Sequence, residues 1–184
     1  MMVLVKKIMQ ILKKCILFFL FISISACGKT SELNYDNGFF TLTYPNTWYM
    51  SSSFEDIESL KNYEKPVVSF FKQENEKISH LVVFYEPWKY GDVKMKDFLA
   101  DQVILLESLP SYALKDMSNT TIAGVKTKLY NYTAVQNEKT IEYLQTFLYS
   151  GEAAYIITAA SEQSFTEDTR SEIESMITSF SLKE

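Results

Sequence analysis

One histidine and two cysteines bound the chemistry open to this chain of 184 residues. Transition-metal sites are built mainly from imidazole and thiolate, so a site at His80 would have to be completed by carboxylates. A serine-hydrolase triad would need the same His80, and the sequence has no G-x-S-x-G elbow to present the serine. His80 sits inside the apolar run Ile78-Ser79-His80-Leu81-Val82-Val83-Phe84-Tyr85 and reads as a strand histidine satisfied locally. Carboxylates gather at Glu55, Asp56 and Glu58, and again at Glu167, Asp168, Glu172 and Glu174. Neither group has the alternating acids and central glycine of an EF-hand loop. The second group falls on the early turns of an expected helix, where acids suit the positive end of the dipole, so both read as solvated surface. In Pro87-Trp88-Lys89-Tyr90-Gly91, Trp88 and Tyr90 could form a binding rim on a loop. The blander reading, that Trp88 folds back as a lid over the core, carries more weight. No catalytic set, metal or cofactor is expected.

The cysteines point elsewhere. Residues 1–26 carry Lys6, Lys7, Lys13 and Lys14 and no acid, followed by the apolar run Cys15-Ile16-Leu17-Phe18-Phe19-Leu20-Phe21-Ile22 and the small residues Ser23, Ser25 and Ala26. These are the parts of a secretory signal peptide. The run is shorter than the roughly 20 apolar residues that span a bilayer. Ile24-Ser25-Ala26-Cys27 resembles the bacterial lipobox, which implies cleavage between Ala26 and Cys27 and a diacylglycerol on the Cys27 thiol. One acyl chain anchors only marginally and two or more anchor stably, so a lipidated Cys27 would hold the protein on a membrane. Gly28, rather than Asp, follows the cysteine, which permits outer-membrane sorting. Cys15 would leave with the signal peptide, and the mature chain would then have no thiol for catalysis, metal binding or a disulfide.

The 158 residues from Cys27 to Glu184 suit one domain. With 13 Phe, 12 Tyr and 2 Trp, the chain can bury a large core without disulfides. Losing the four signal lysines leaves 14 basic side chains against 23 acidic ones, a charge of −9. That balance disfavours nucleic acid and anionic lipid surfaces as partners of the folded domain.

The elements follow from local pattern. Residues 29–37, KTSELNYDN, are polar and read as the tether. The expected organisation is therefore a signal peptide over 1–26, a lipidated terminus and tether over 27–36, and a globular domain over 37–184. Gly38-Phe39-Phe40-Thr41-Leu42-Thr43-Tyr44-Pro45 is an aromatic and β-branched strand stopped by proline, with a brief resumption at Trp48-Tyr49-Met50. A short helix is expected around 55–60. Residues 67–71 and 78–85 predict a hairpin across the turn Gln73-Glu74-Asn75-Glu76. Asp92 is a candidate N-cap for a helix ending before Pro110, with Met95, Phe98, Leu99, Gln102, Leu106 and Leu109 on one face. Its apolar residues extend beyond that face, which predicts a well-buried helix. A short strand over 112–117 and longer ones over 125–135, 141–149 and 153–160 form an antiparallel meander, because their connections are too short for parallel crossovers. Ser164 with Glu167 reads as a capping box, and Ile173, Met176, Ile177 and Phe180 give the following helix one buried stripe. Strands as continuously apolar as 78–85 and 153–160 are covered on both faces, which predicts a sheet with helices on both sides.

Gly38 to Trp48, closing in Y-P-x-x-W, resembles the opening of the PsbP-like, Mog1 and DcrB superfamily. Ala154-Tyr155-Ile156-Ile157-Thr158-Ala159-Ala160, then Phe165 and a helix finishing in Ile177-Thr178-Ser179-Phe180, is similar to that superfamily's ending. The resemblance implies an α+β fold, an α/β/α sandwich around a mainly antiparallel sheet. Functions in the superfamily range from photosystem accessory subunits to a nuclear transport factor and bacterial envelope lipoproteins, so fold alone selects none of them. Tyr44, Pro45 and Trp48 read as structural, ending a strand and plugging the core. The expectation is a lipid-anchored, extracytoplasmic lipoprotein that binds another envelope protein without catalysis. The alternative is a small-molecule carrier or sensor with an apolar pocket between sheet and helix. A glycan hydrolase would need two carboxylates at a set separation, and no motif marks such a pair.

Overall fold

The computed structural model describes residues 31–51, 68–74, 77–87, 94–150 and 153–183. The strands are β1 (Glu32–Asp36), β2 (Phe40–Pro45), β3 (Tyr49–Ser51), β4 (Val68–Glu74), β5 (Lys77–Pro87), β6 (Ala113–Ile122), β7 (Val125–Gln136), β8 (Lys139–Tyr149), β9 (Ala153–Glu162) and β10 (Ser181–Leu182). The helices are α1 (Met95–Glu107) and α2 (Glu167–Ser179). A seven-stranded sheet runs β3-β4-β5-β9-β8-β7-β6, and a three-stranded sheet runs β1-β2-β10. Every strand pair in both sheets is antiparallel.

Two cores form because successive strand residues face opposite ways. On one face Phe70, Leu81, Ile157 and Leu144 pack against Ile173, Met176 and Ile177 of α2, against Phe180 just past its end, and against Phe40 and Leu42 of the small sheet. Phe40 and Phe180 stack with ring centroids 4.8 Å apart. On the other face Tyr130, Tyr132, Ala134, Phe147 and Ala154 pack against Phe98 and Leu106 of α1. The central strands β8 and β9 are thus covered on both sides, and each large apolar side chain withdrawn from water there contributes roughly 1.5–3 kcal/mol. This is the α/β/α sandwich that the sequence predicts.

Turn chemistry sets the meander. Ala123 (φ 49°) and Gly124 (φ 74°) join β6 to β7, and Asn137 (φ 49°) and Glu138 (φ 63°) join β7 to β8. Two consecutive left-handed residues match the twist of the flanking strands, as in a type I′ turn. Glycine and asparagine tolerate that conformation, whereas alanine and glutamate adopt it at a cost.

Several boundaries differ from the sequence reading. Residues 32–36, expected as tether, form β1, with Tyr35 against Phe40 and Phe70. The short strand expected over 112–117 continues to Ile122 as an exposed outer strand. The strand before the β4–β5 turn runs on through Gln73 and Glu74. In α2 the N-cap is Thr166 rather than Ser164, and its hydroxyl accepts from the Thr169 N–H at 3.2 Å. The chain stays extended as far as Thr166 because the Phe165 N–H donates to Glu142 on β8. In α1 the N-cap position falls on Lys94, without a side-chain capping bond. The helix stops at Glu107, where the Ser108 hydroxyl donates back to the Leu105 carbonyl at 2.7 Å. Far from being buried all round, α1 leaves Ile104 64% and Leu105 58% exposed. Its inward face is already filled by Phe98 and Leu106. Asp92 and the short helix expected around 55–60 lie outside the described residues.

Candidate functional site

The buried charges come first, because that is where catalysis would begin. Lys72 on β4 is 7% exposed, with its ammonium 2.6 Å from Glu172 Oε2 and 2.7 Å from Glu74 Oε1. The Trp48 indole N–H donates to the same Glu172 oxygen at 2.8 Å, and the Thr169 hydroxyl donates to Glu74 at 3.0 Å. Burial works to lower the Lys72 pKa, but hydrogen bonds and charge from the two carboxylates outweigh it and leave it raised. Glu74 is lowered, chiefly by the Lys72 hydrogen bond. Glu172 is therefore a partner in an ion network and not the solvated surface residue expected from its place on the helix.

A second network sits nearby. Glu142 on β8 is 3% exposed and takes Arg170 Nη2 at 2.6 Å, Lys115 Nζ at 3.3 Å and the Phe165 N–H at 3.1 Å. Burial works to raise its pKa, yet these partners hold it below the usual carboxylate value. Both networks join the sheet to the first two turns of α2. Their carboxylates are partnered by cations and by N–H and O–H donors, an arrangement that braces the helix. Among the described residues no group of three or more His, Cys, Asp and Glu could hold a metal ion.

His80 lies on β5 opposite Phe71, with ring centroids 6.5 Å apart. Loss of solvent around the imidazole pushes its pKa down to about 4, so it is neutral at pH 7. Tyr44 packs on Phe70 at 4.8 Å, Pro45 is the last residue of β2, and Trp48 is buried against α2. Ala26 and Cys27 at the cleavage and lipidation position, and Trp88 and Tyr90 of the proposed rim, lie outside the described residues.

Among the described residues, the outer margin of the meander is open. β6 closes the large sheet and is exposed from Ala113 to Asn119, with Leu114 and Met117 among its uncovered side chains. The opposite edge strand, β3, has only three residues. A groove of about 570 Å³ opens between Leu99 of α1 and the β6–β7 hairpin, whose Asn119, Thr121, Lys126 and Lys128 make its wall polar. Among the described residues, the space between α1 and the sheet is filled by Phe98, Leu106, Tyr130, Tyr132 and Phe147. The sequence predicts only the first part of β6, over 112–117, because Ser118-Asn119-Thr120-Thr121 lacks the apolar alternation that marks a strand. No helix among the described residues is long and apolar enough to cross a membrane.

No family model matches this chain, and no curated protein matches it in sequence. Solved structures do match in shape. The cyanobacterial PsbP protein CyanoP from Synechocystis aligns at a TM-score of 0.61 and 12% identity, over 86% of this chain and 96% of its own. LpqN of Mycobacterium tuberculosis, described as involved in cell envelope biogenesis, aligns at 0.53 and 14%, over 84% of this chain and 91% of its own. The Ran-binding protein Mog1p of Saccharomyces cerevisiae aligns at 0.52 and 10%, over 84% of this chain and 96% of its own. The fold is therefore the PsbP/Mog1-like fold.

Proposed function

We propose that this protein is a lipid-anchored lipoprotein of the bacterial envelope, working outside the cytoplasm by binding another envelope protein and not by catalysis. The observation that carries the reading is the free edge of β6. Ten residues of strand offer backbone donors and acceptors on a side that no described strand pairs. An extended segment of a partner can add to such an edge through main-chain hydrogen bonds, with alternate side chains supplying specificity. Leu114 and Met117 give that edge apolar contacts, and Ile104 and Leu105 of α1 add a further uncovered apolar surface. The lipobox-like Ile24-Ser25-Ala26-Cys27 supports the anchor. The shared fold with LpqN is in keeping with an envelope role. The closed ion networks around α2 favour binding over acid–base chemistry.

The test is a photo-crosslinking residue placed at Met117 in cells, with the same residue at Thr178 on the exposed side of α2 as control. One envelope protein captured reproducibly from position 117, and lost in a Cys27→Ser background, is the expected result. Capture from position 117 no greater than from position 178 overturns the reading.

A further inference from the structure

We infer that the β3 end of the domain rests on the lipid surface, with Leu33, Tyr49 and Met50 in contact with the bilayer and β6 held away from it. The inference rests on lipidation of Cys27. Between Cys27 and the first residue of β1, Glu32, lie only residues 28–31. Five Cα steps, even fully extended, reach about 17 Å. A domain of this size is roughly 38 Å across, from its expected radius of gyration. The tether is thus too short for free tumbling, and whichever face carries Glu32 stays against the membrane.

That face is apolar in a particular way. Glu32 pairs with Pro45 and Leu33 with Tyr44, at the end of the β1–β2 hairpin nearest to β3. Tyr44 packs on Phe70, and Met50 lies opposite Phe70 in the β3–β4 register, so Leu33 and Met50 flank one aromatic pair. Leu33 is 45% exposed and Met50 46%, and Tyr49, which projects from the opposite face of β3, is 74% exposed, so this edge strand carries uncovered apolar or aromatic side chains on both sides. Tyrosine prefers the level of the lipid headgroups, and exposed apolar side chains are better placed there than in water. The acidic charge of the mature chain and Glu32 itself make this an apolar contact and not an attraction to anionic lipid. Phe39 is also exposed, but it sits at the turn of the hairpin, stacked on Tyr85.

The sheet order completes the argument. β3 and β6 are its two edges, separated by five strands. Six inter-strand gaps of about 4.8 Å place them roughly 29 Å apart. Resting on β3, the domain turns the β6 edge toward the aqueous side.

The experiment uses the lipidated protein purified from cells and reconstituted in phosphatidylcholine vesicles carrying doxyl-labelled lipid. A bimane label is placed by Tyr49→Cys in one sample and by Met117→Cys in another, and intact mass reports the acyl chains on Cys27. Quenching several-fold stronger at position 49 than at position 117 is expected. In that sample, the Leu33→Ser, Met50→Ser double substitution should weaken the quenching toward the level at 117. Equal quenching at the two positions, with the acyl chains present, overturns the orientation and leaves the anchor standing. An unacylated Cys27 overturns both.

Discussion

The two helices cover opposite faces of one sheet and are held by different forces. α2 buries Ile173, Met176 and Ile177, is capped by Thr166, and is tied down by Lys72, Glu74 and Glu142. Its C-terminal end is fixed as well, since Ser179 Oγ accepts from the Thr43 N–H at 2.9 Å and donates to the Thr43 carbonyl at 3.1 Å. α1 lacks a side-chain cap and rests, among the described residues, on an apolar and aromatic stripe. Ile104 and Leu105 face outward. The helix that the fold needs most is polar outside, and the helix it needs less keeps apolar residues in water. Uncovered apolar surface that packing does not explain is a mark of an interaction face.

The contrast can be broken from the α2 side first. Ile173→Ala removes a fully buried side chain and should cost about 3–4 kcal/mol in urea denaturation. Glu142→Ala leaves Arg170, Lys115 and the Phe165 N–H facing a buried gap, and should cost about 3 kcal/mol by the same measurement.

A smaller effect sharpens the comparison through pH. His80 is held near 4 in the fold against an ordinary 6.5. As pH falls below 6.5 the unfolded chain takes the proton first, so stability is full above 6.5 and is lost as pH falls from there toward 4. About 2 kcal/mol should disappear over that window, and His80→Phe should flatten it in a series of thermal melts. Below that, Glu138→Gly at a left-handed position should raise stability by roughly 0.5–1 kcal/mol. Ile104→Ser with Leu105→Ser should change stability by less than about 0.5 kcal/mol each. A large loss of stability in that pair would show that α1 is braced by its outer face after all.

Sequence legibility followed periodicity. β2, β5, β7, β8, β9 and the buried stripe of α2 were readable because apolar residues recur at strand or helix spacing and burial rewards them. β1 was not, because Glu32-Leu33-Asn34-Tyr35-Asp36 has a mostly exposed surface and only Tyr35 half-buried. The far half of β6 was missed for the same reason. The cap of α2 slipped by two residues because Ser164 and Thr166 are chemically alike, and the choice between them is made by Glu142, distant in sequence. Glu172 looked solvated because Lys72, its partner, lies 100 residues earlier. The apolar composition of α1 predicts a buried outer side, since hydrophobicity alone does not say which apolar residues find a neighbour. For the candidate interface, Leu114 and Met117 were visible as residues, but their place on the sheet's free edge depends on the strand order.

The antiparallel seam between β1 and β2 has a mechanical consequence. β1 is the outer strand of the small sheet, joined to it by five residue pairs, while β10 holds the other side of β2 and Lys183 reaches Asp36. A pull on the chain before Glu32 loads the Glu32–Pro45 pair first and can peel β1 from that end, with Tyr35 the one side chain it withdraws from beside Phe40 and Phe70. Peeling would release five residues, lengthening the reach by about another 17 Å. Force spectroscopy with a handle at residue 31 is expected to record a small first extension of that size before the sandwich gives way. The first strand would then behave as a spring-loaded reserve of slack between the domain and whatever holds its leading end.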